Sequence, residues 1–390
     1  MDLIEDIVTP FNIQASEKGV DYDKLIAQFG CQKVLPAHIK EIEEITGKKA
    51  HHLLRRGIYF AHRDLEMILN TAKMKKPFYL YTGRGPSSAA LHLGHMIPFI
   101  LNKWLQEVFD VPVVIQITDD EKYLYRQELS LEQVKHFSRE NIRDIIACGF
   151  DLNKTFIFTD TSYINFLYPN FLKMQKHLTV NQIFGCFGFN GSDCVGKIAY
   201  PPLQAVPAFS NSFPHIFRNK NDIPCLIPEA IDQDPYFRLT RDIAPKINYL
   251  KPAVLHAKFF PALQGLHTKM SASDENTAIY LTDSKKEIER KIKSFAFSGG
   301  GKTLQDHREK GANLEVDVPF QYLSFLMEDD ERLDEIRQKY GKGEITTGEV
   351  KKDLIGLLQK LVEDHKVKKK EVTDELIDKF MEIRELDVKL

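Results

Sequence analysis

The sequence predicts an α/β protein built on a parallel sheet, followed by a separate all-helical domain. Three observations predict it. From about residue 77 short apolar runs each end in a polar cluster, amphipathic stretches lie between them, and after about residue 283 the spacing of apolar residues turns helical. Strands alternating with helices point to a parallel sheet rather than to hairpins.

Residues 1–75 are charged and mostly helical in pattern, with turn signals at Glu17-Lys18-Gly19 and Gly47-Lys48-Lys49, and read as an N-terminal extension. The first apolar run, Phe78–Tyr81, closes on Thr82-Gly83-Arg84-Gly85-Pro86. Val111–Ile117 closes on Thr118-Asp119-Asp120, Thr155–Phe158 precedes another polar stretch, and Cys225–Ile227 leads toward Ile231-Asp232-Gln233. Ile97–Phe109 and Leu131–Cys148 are amphipathic. In open α/β sheets ligands bind beyond the carboxyl ends of the strands, so a site is expected at these polar clusters. Toward the C-terminus Leu354, Leu357, Leu358 and Leu361 recur at helical spacing, with Lys and Glu on the opposite face.

The 390 residues suit two or three domains. A composition of 43% hydrophobic and 28% charged residues excludes collagenous and disordered classes. No run of about 18 apolar residues appears, so no transmembrane helix is expected. Asp2, Glu5 and Asp6 stand where a secretory signal needs positive charge and an apolar core, and a cytoplasmic location is expected. Cys31, Cys148, Cys186, Cys194 and Cys225 form no CxxC pair and read as buried free thiols, not as a disulfide framework or a structural zinc site. With a net charge of −2, nucleic-acid binding must come from local patches such as Lys366, Lys368, Lys369 and Lys370. Such a run also reads as a solvated helix face.

The chemistry concentrates in two motifs. The first strand feeds TGRGPSSAALHLGH and then a helix. Gly83, Gly85 and Pro86 make a tight connection, and Ser87 and Ser88 are natural helix caps. His92 and His95 are three apart and face one side of the first turn, while Gly94 leaves room for a planar base. Two imidazole donors at a helix N-terminus can hold a phosphate as negative charge builds on it. A P-loop is excluded because no GxxxxGK[ST] exists, and the dinucleotide fingerprint GxGxxG is absent here. Downstream lies Thr268-Lys269-Met270-Ser271-Ala272-Ser273. A lysine on a loop is a compact cation that can follow departing phosphates, and Ser271 and Ser273 add hydroxyl donors.

HLGH followed by KMSAS resembles the two signature motifs of class I aminoacyl-tRNA synthetases. The segments YTGRGPSS, QITDDEKYL, IACGFDLNKTFIF, FSNSFP, AIDQDPYFRLTRD and FFPALQG resemble the tryptophanyl branch of eukaryotes and archaea, over nearly the whole chain. Leu93 departs from the commonest first motif, where isoleucine stands, and the change is conservative. The resemblance implies a Rossmann-like catalytic domain over residues 76–283, a dimerisation segment inserted at about 122–200, and a helical anticodon-binding domain over 284–390. It implies tryptophan, ATP and a tryptophan tRNA as substrates, a homodimer, Mg²⁺ arriving on the ATP phosphates, and no tightly bound cofactor. The acid cluster Asp119-Asp120-Glu121 is not read as a metal site. The extra N-terminal domain of some animal relatives is not expected here.

By the same resemblance His92, His95, Lys269 and Ser271 are the catalytic residues, and Arg84, Gly85, Gly94, Met270 and Ser273 bind ATP. Tyr81 and Gln116 would accept the indole N–H, and Glu121, Gln204 and Gln233 would hold the α-amino group. Val8-Thr9-Pro10-Phe11 resembles a family element that packs near the ATP site. Tyrosyl relatives carry YxxxQxxD, whose Asp accepts the substrate hydroxyl. Here Tyr200 and Gln204 keep that register and Pro207 replaces the Asp, expected as an apolar wall. An unpaired buried hydroxyl costs roughly 1–3 kcal/mol, which argues against tyrosine. Two alternatives stay open at this point: a tyrosyl enzyme, and a non-catalytic paralogue serving as an RNA-binding or signalling module.

Overall fold

The computed structural model describes residues 7–10, 13–14, 19–269 and 276–389. Phe11, Met270, Ser271 and Ser273, and the side chain of Lys269, lie outside the described residues.

Seven strands form one sheet: β1 (Gln32–Lys33), β2 (Tyr59–Arg63), β3 (Tyr79–Arg84), β4 (Val113–Ile117), β5 (Thr155–Thr159), β6 (Cys225–Ala230) and β7 (Ala253–Ala257). Their order is β1-β2-β7-β6-β3-β4-β5. Strands β3 to β7 pair in parallel, and β2 and β1 close one edge antiparallel. Every residue of β4, β5 and β7 is buried, as expected of strands covered on both faces. From β3 the chain builds outward through β4 and β5, then returns to place β6 on the other side of β3. The strand order therefore reverses between β3 and β6, which opens a crevice at their carboxyl ends.

The antiparallel edge is a correction to the reading of residues 1–75. Helices do dominate there, but β1 and β2 come from this stretch and join the main sheet. The missed strand, YFAHR, is five residues long and pairs with β7, nearly 200 positions away. Neither its length nor that distant partner leaves a periodic signal.

The helices that position the site are α1 (Tyr22–Phe29), α2 (Leu93–Phe109), α3 (Asp119–Tyr125), α4 (Leu131–Ala147), α5 (Asp160–Lys176) and α6 (Asp234–Ile243). Beyond them run α7 (Lys285–Phe295), α8 (Val318–Leu326) and α9 (Thr347–Glu371) among other helices. In α9 Leu354 and Leu358 are fully buried, and Leu357 and Leu361 pack beside them, as the spacing predicts. One hydrophobic core runs from Leu80, Val113 and Ile115 of the sheet to Ile292, Leu323 and Leu358 of these helices.

The basic run at the end of α9 is only partly a surface. Lys366 Nζ donates to the Asp283 carbonyl at 2.7 Å. Lys369 pairs with buried Asp144 at 3.0 Å, beside His365 at the same distance. These two lysines hold α9 against α4 and the preceding turn, while Lys368 and Lys370 are exposed.

Candidate active site

The crevice at the switch point is a cavity of about 500 Å³. Tyr81, Arg84, Gly85, His92, Gly94, His95, Gln116, Glu121, Gln204 and Gln233 all line it, so ten of the expected residues converge. Pro10 reaches it as well.

The HLGH motif explains its own geometry. His92 is the N-cap of α2 and His95 its third residue, and the His92 amide donates to His95 Nδ1 at 3.3 Å. A capping pair three residues apart stacks the two rings on one face, with centroids 3.4 Å apart and planes within 23°. Gly94 keeps this arrangement uncrowded, because a Cβ there would stand 3.2 Å from the His92 ring. Arg84 Nη1 lies 3.0 Å from His95 Nε2, and its Nε donates to Asn141 at 3.0 Å. Burial pushes the Arg84 guanidinium down to about 10, so it remains a cation at neutral pH.

Opposite, Glu121 is buried with both oxygens engaged: Oε1 takes Lys122 at 2.8 Å and Oε2 takes the Thr118 hydroxyl at 2.9 Å. Gly85 makes room for them. A Cβ at Gly85 would fall 2.2 Å from Lys122 Cε and 2.8 Å from Glu121 Oε2.

At the closed end of the cavity the polar groups form a relay. The Tyr81 hydroxyl lies 2.5 Å from Gln116 Oε1 and 2.7 Å from the Gln204 carbonyl. Gln116 Nε2 donates to Asp160 Oδ1 at 2.6 Å. Since that amide nitrogen is committed to Asp160, the oxygen is the end turned toward Tyr81. Burial pushes the Asp160 carboxyl well up, with nearby Asp120 adding to it. Burial likewise pushes Asp120 up to about 6. Two carboxyls this close share a proton, and the more deeply buried Asp160 holds it. A second chain runs from Tyr200 to Gln204 Oε1 at 3.2 Å and from Gln204 Nε2 to Gln233 Oε1 at 3.0 Å.

Pro207 does not reach the cavity. It is buried in a short 3-10 turn behind the wall, where its carbonyl accepts the Tyr79 hydroxyl at 2.9 Å. The run of turns from Pro201 to Ser212 rotates it away from the face that Gln204 presents.

Asp160, Lys258, Phe260 and Tyr236 went unselected in the sequence. Asp160 and Lys258 follow the carboxyl ends of β5 and β7, so the strand-end rule applied to every strand would have found both. Burial pushes Lys258 below the usual lysine range. The second motif's flanks are also placed. Strand Gly265–Lys269 leads into it, and on the far side Tyr280 bridges to His92 while Leu93 donates to the Ile279 carbonyl at 3.0 Å.

Known proteins match this chain along nearly its whole length. A family model described as tRNA synthetases class I (W and Y) matches residues 73–363. The cytoplasmic tryptophan–tRNA ligase of Homo sapiens is 58% identical over 386 residues, covering 98% of this chain and 82% of the human protein. That of Schizosaccharomyces pombe is 54% identical and covers 98% of both chains. The crystal structure of Plasmodium falciparum tryptophanyl-tRNA synthetase superposes with a TM-score of 0.89 at 52% identity, covering 93% of this chain and 98% of that one. The match spans the sheet, the cavity and most of the C-terminal helices, and the chain belongs to the class I tRNA synthetases of the tryptophan and tyrosine family.

Proposed function

We infer that this chain is a tryptophan–tRNA ligase, which activates tryptophan with ATP and transfers it to tRNA. The observation that carries the choice of amino acid is its identity, above one half and over 98% of its length, to ligases named for tryptophan. The cavity is built as that reaction requires, with an apolar slot ending in the Tyr81–Gln116–Asp160 relay and a cationic mouth at α2.

The carboxylate of tryptophan attacks the α-phosphorus of ATP in line, the bond to pyrophosphate breaks, and tryptophanyl-adenylate forms. Positioning and charge stabilisation suffice, so no covalent nucleophile is needed. His92, His95 and Arg84 act on the ATP phosphates from the first turn of α2, where the helix dipole also favours anions. Lys269, Ser271 and Ser273 act on the leaving pyrophosphate, and magnesium arrives with ATP. Tyr81 and Gln116 read the indole N–H, and Glu121, Gln204 and Gln233 take the α-amino group. The terminal ribose hydroxyl of tRNA then attacks the adenylate carbonyl and displaces AMP. The helices after residue 283 read the anticodon, two copies pair through the segment at 122–200, and the protein works in the cytoplasm like its named relatives.

Mixing enzyme, ATP and labelled tryptophan should give a burst of about one adenylate per site, discharged on adding tryptophan tRNA. A chain that forms adenylate but cannot charge this tRNA, or charges it with another amino acid, is not this ligase.

A further inference from the structure

Beside the cavity, with Glu229 in its lining, lies a cluster that the proposed reaction does not use. Cys31, on the turn after α1, places Sγ 3.4 Å from His256 Nε2. Asp234, the first residue of α6, places Oδ1 3.4 Å from the same nitrogen. On the other side of the ring Glu229 Oε1 stands 3.3 Å from Nδ1. Arg63 grips Asp234 with two bonds, at 2.8 and 2.9 Å. His256 and Asp234 are fully buried and Glu229 is 6% exposed. Neither Glu229 oxygen nor His256 Nδ1 has a hydrogen-bond partner.

A cation on Nε2 leaves the ring proton on Nδ1, 3.3 Å from Glu229 Oε1. Carboxylates standing behind metal-bound histidines in this way fix the ring and raise its basicity.

We propose that Cys31 Sγ, His256 Nε2 and Asp234 Oδ1 hold a zinc-type divalent cation, with Glu229 orienting the histidine from behind. Thiolate, imidazole and one carboxylate are the donor set of zinc, whereas magnesium and calcium take oxygens. Binding breaks the S–H bond, forms a metal–sulfur bond and releases the proton to solvent. Cys31 is only half-buried, which leaves a path for the ion and for a water in the fourth position. In the other such group among the described residues, His38, His62 and Glu66, most of the donor atoms are already engaged. There His38 Nδ1 and His62 Nδ1 accept backbone N–H groups at 3.0 and 3.2 Å, and His38 Nε2 meets Glu66 at 3.2 Å. An ion at Cys31 would tie the turn after α1 to β7 and the start of α6, next to Gln233 in the cavity wall.

The test strips the tag-free full chain with a chelator and titrates it with zinc, and separately with cobalt as the spectroscopic probe. The wild type should bind one zinc per chain and show a thiolate-to-cobalt charge-transfer band. Cys31→Ser should lose the band while circular dichroism shows it folded, and Cys148→Ser should keep it. Glu229→Gln should weaken zinc about ten- to a hundredfold, the scale for a group behind the ligand. A wild type without stoichiometric zinc, or without the cobalt band, overturns the proposal in favour of a protonated Glu229 donating to His256. A band that survives Cys31→Ser overturns it too.

Discussion

Asp160 offers a sharp test of how the cavity reads an indole. A protonated Asp160 presents one acceptor to Gln116 Nε2, at 2.6 Å, and one O–H toward Asp120. Asparagine offers the same acceptor and an N–H in place of the hydroxyl. Asp160→Asn should therefore change kcat/KM for tryptophan by about twofold at most, the scale of an exchange between satisfied neutral bonds. Asp160→Ala removes the acceptor and leaves the Gln116 amide free to turn over, presenting N–H where the substrate needs an oxygen. The loss should be on the order of 1–3 kcal/mol, or about five- to a hundred-and-fiftyfold in kcat/KM. Gln116→Leu should fall in the same range. The assay is tryptophan-dependent ATP–pyrophosphate exchange, run beside a tryptophan analogue whose ring nitrogen is replaced by sulfur. That analogue has no donor to lose, so the two-by-two comparison cancels general damage to the fold. If Asp160→Asn is as damaging as Asp160→Ala, Asp160 acts as an anion and the shared-proton account fails. Equal losses for tryptophan and the analogue would mean that the relay shapes the pocket without reading the indole.

Four further outcomes are expected. Lys269→Ala should slow adenylate formation by about 10²–10³ with tryptophan binding largely kept, because its cation matters as charge builds on pyrophosphate; rapid-quench measurement of adenylate checks this. For tRNA, Lys368→Ala with Lys370→Ala should weaken charging and flatten its salt dependence without touching adenylate formation. Lys369→Ala should instead lower stability in urea, on the order of 1–3 kcal/mol, by taking a partner from buried Asp144. Asp120 has its folded pKa raised to about 6 from the usual carboxylate range, so it favours the folded state below about pH 4 and loses that contribution as pH rises through 6. Asp120→Asn should thus gain stability relative to wild type between about pH 5 and pH 7.5, on the order of 1–2 kcal/mol, read by urea unfolding at each pH.

What could be read from the sequence was what is local in it. His92, Gly94 and His95 form one helix start, so three letters of spacing carry both the cap and the stacked rings. Gln116 and Gln233 sit near or just beyond strand ends and Tyr81 lies inside β3, where parallel topology brings them together. Pro207 was misplaced because it follows Gln204 by only three positions, yet a series of short turns carries it behind the wall. Asp160 was hidden because an acid opening a helix reads as a cap, and only its approach to Gln116 across two strands gives it a role. The same holds for Lys366 and Lys369, whose partners Asp283 and Asp144 lie far away in the chain. The edge strand β1 and its neighbour β2 were missed for that reason as well, since the pairing of β2 with β7 leaves no trace in local periodicity.

The account's central claim is that this cavity selects and activates tryptophan. ATP–pyrophosphate exchange with each of the twenty amino acids in turn tests it most directly. Tryptophan alone should support substantial exchange, whereas a preference for tyrosine, or exchange with no amino acid at all, would contradict it.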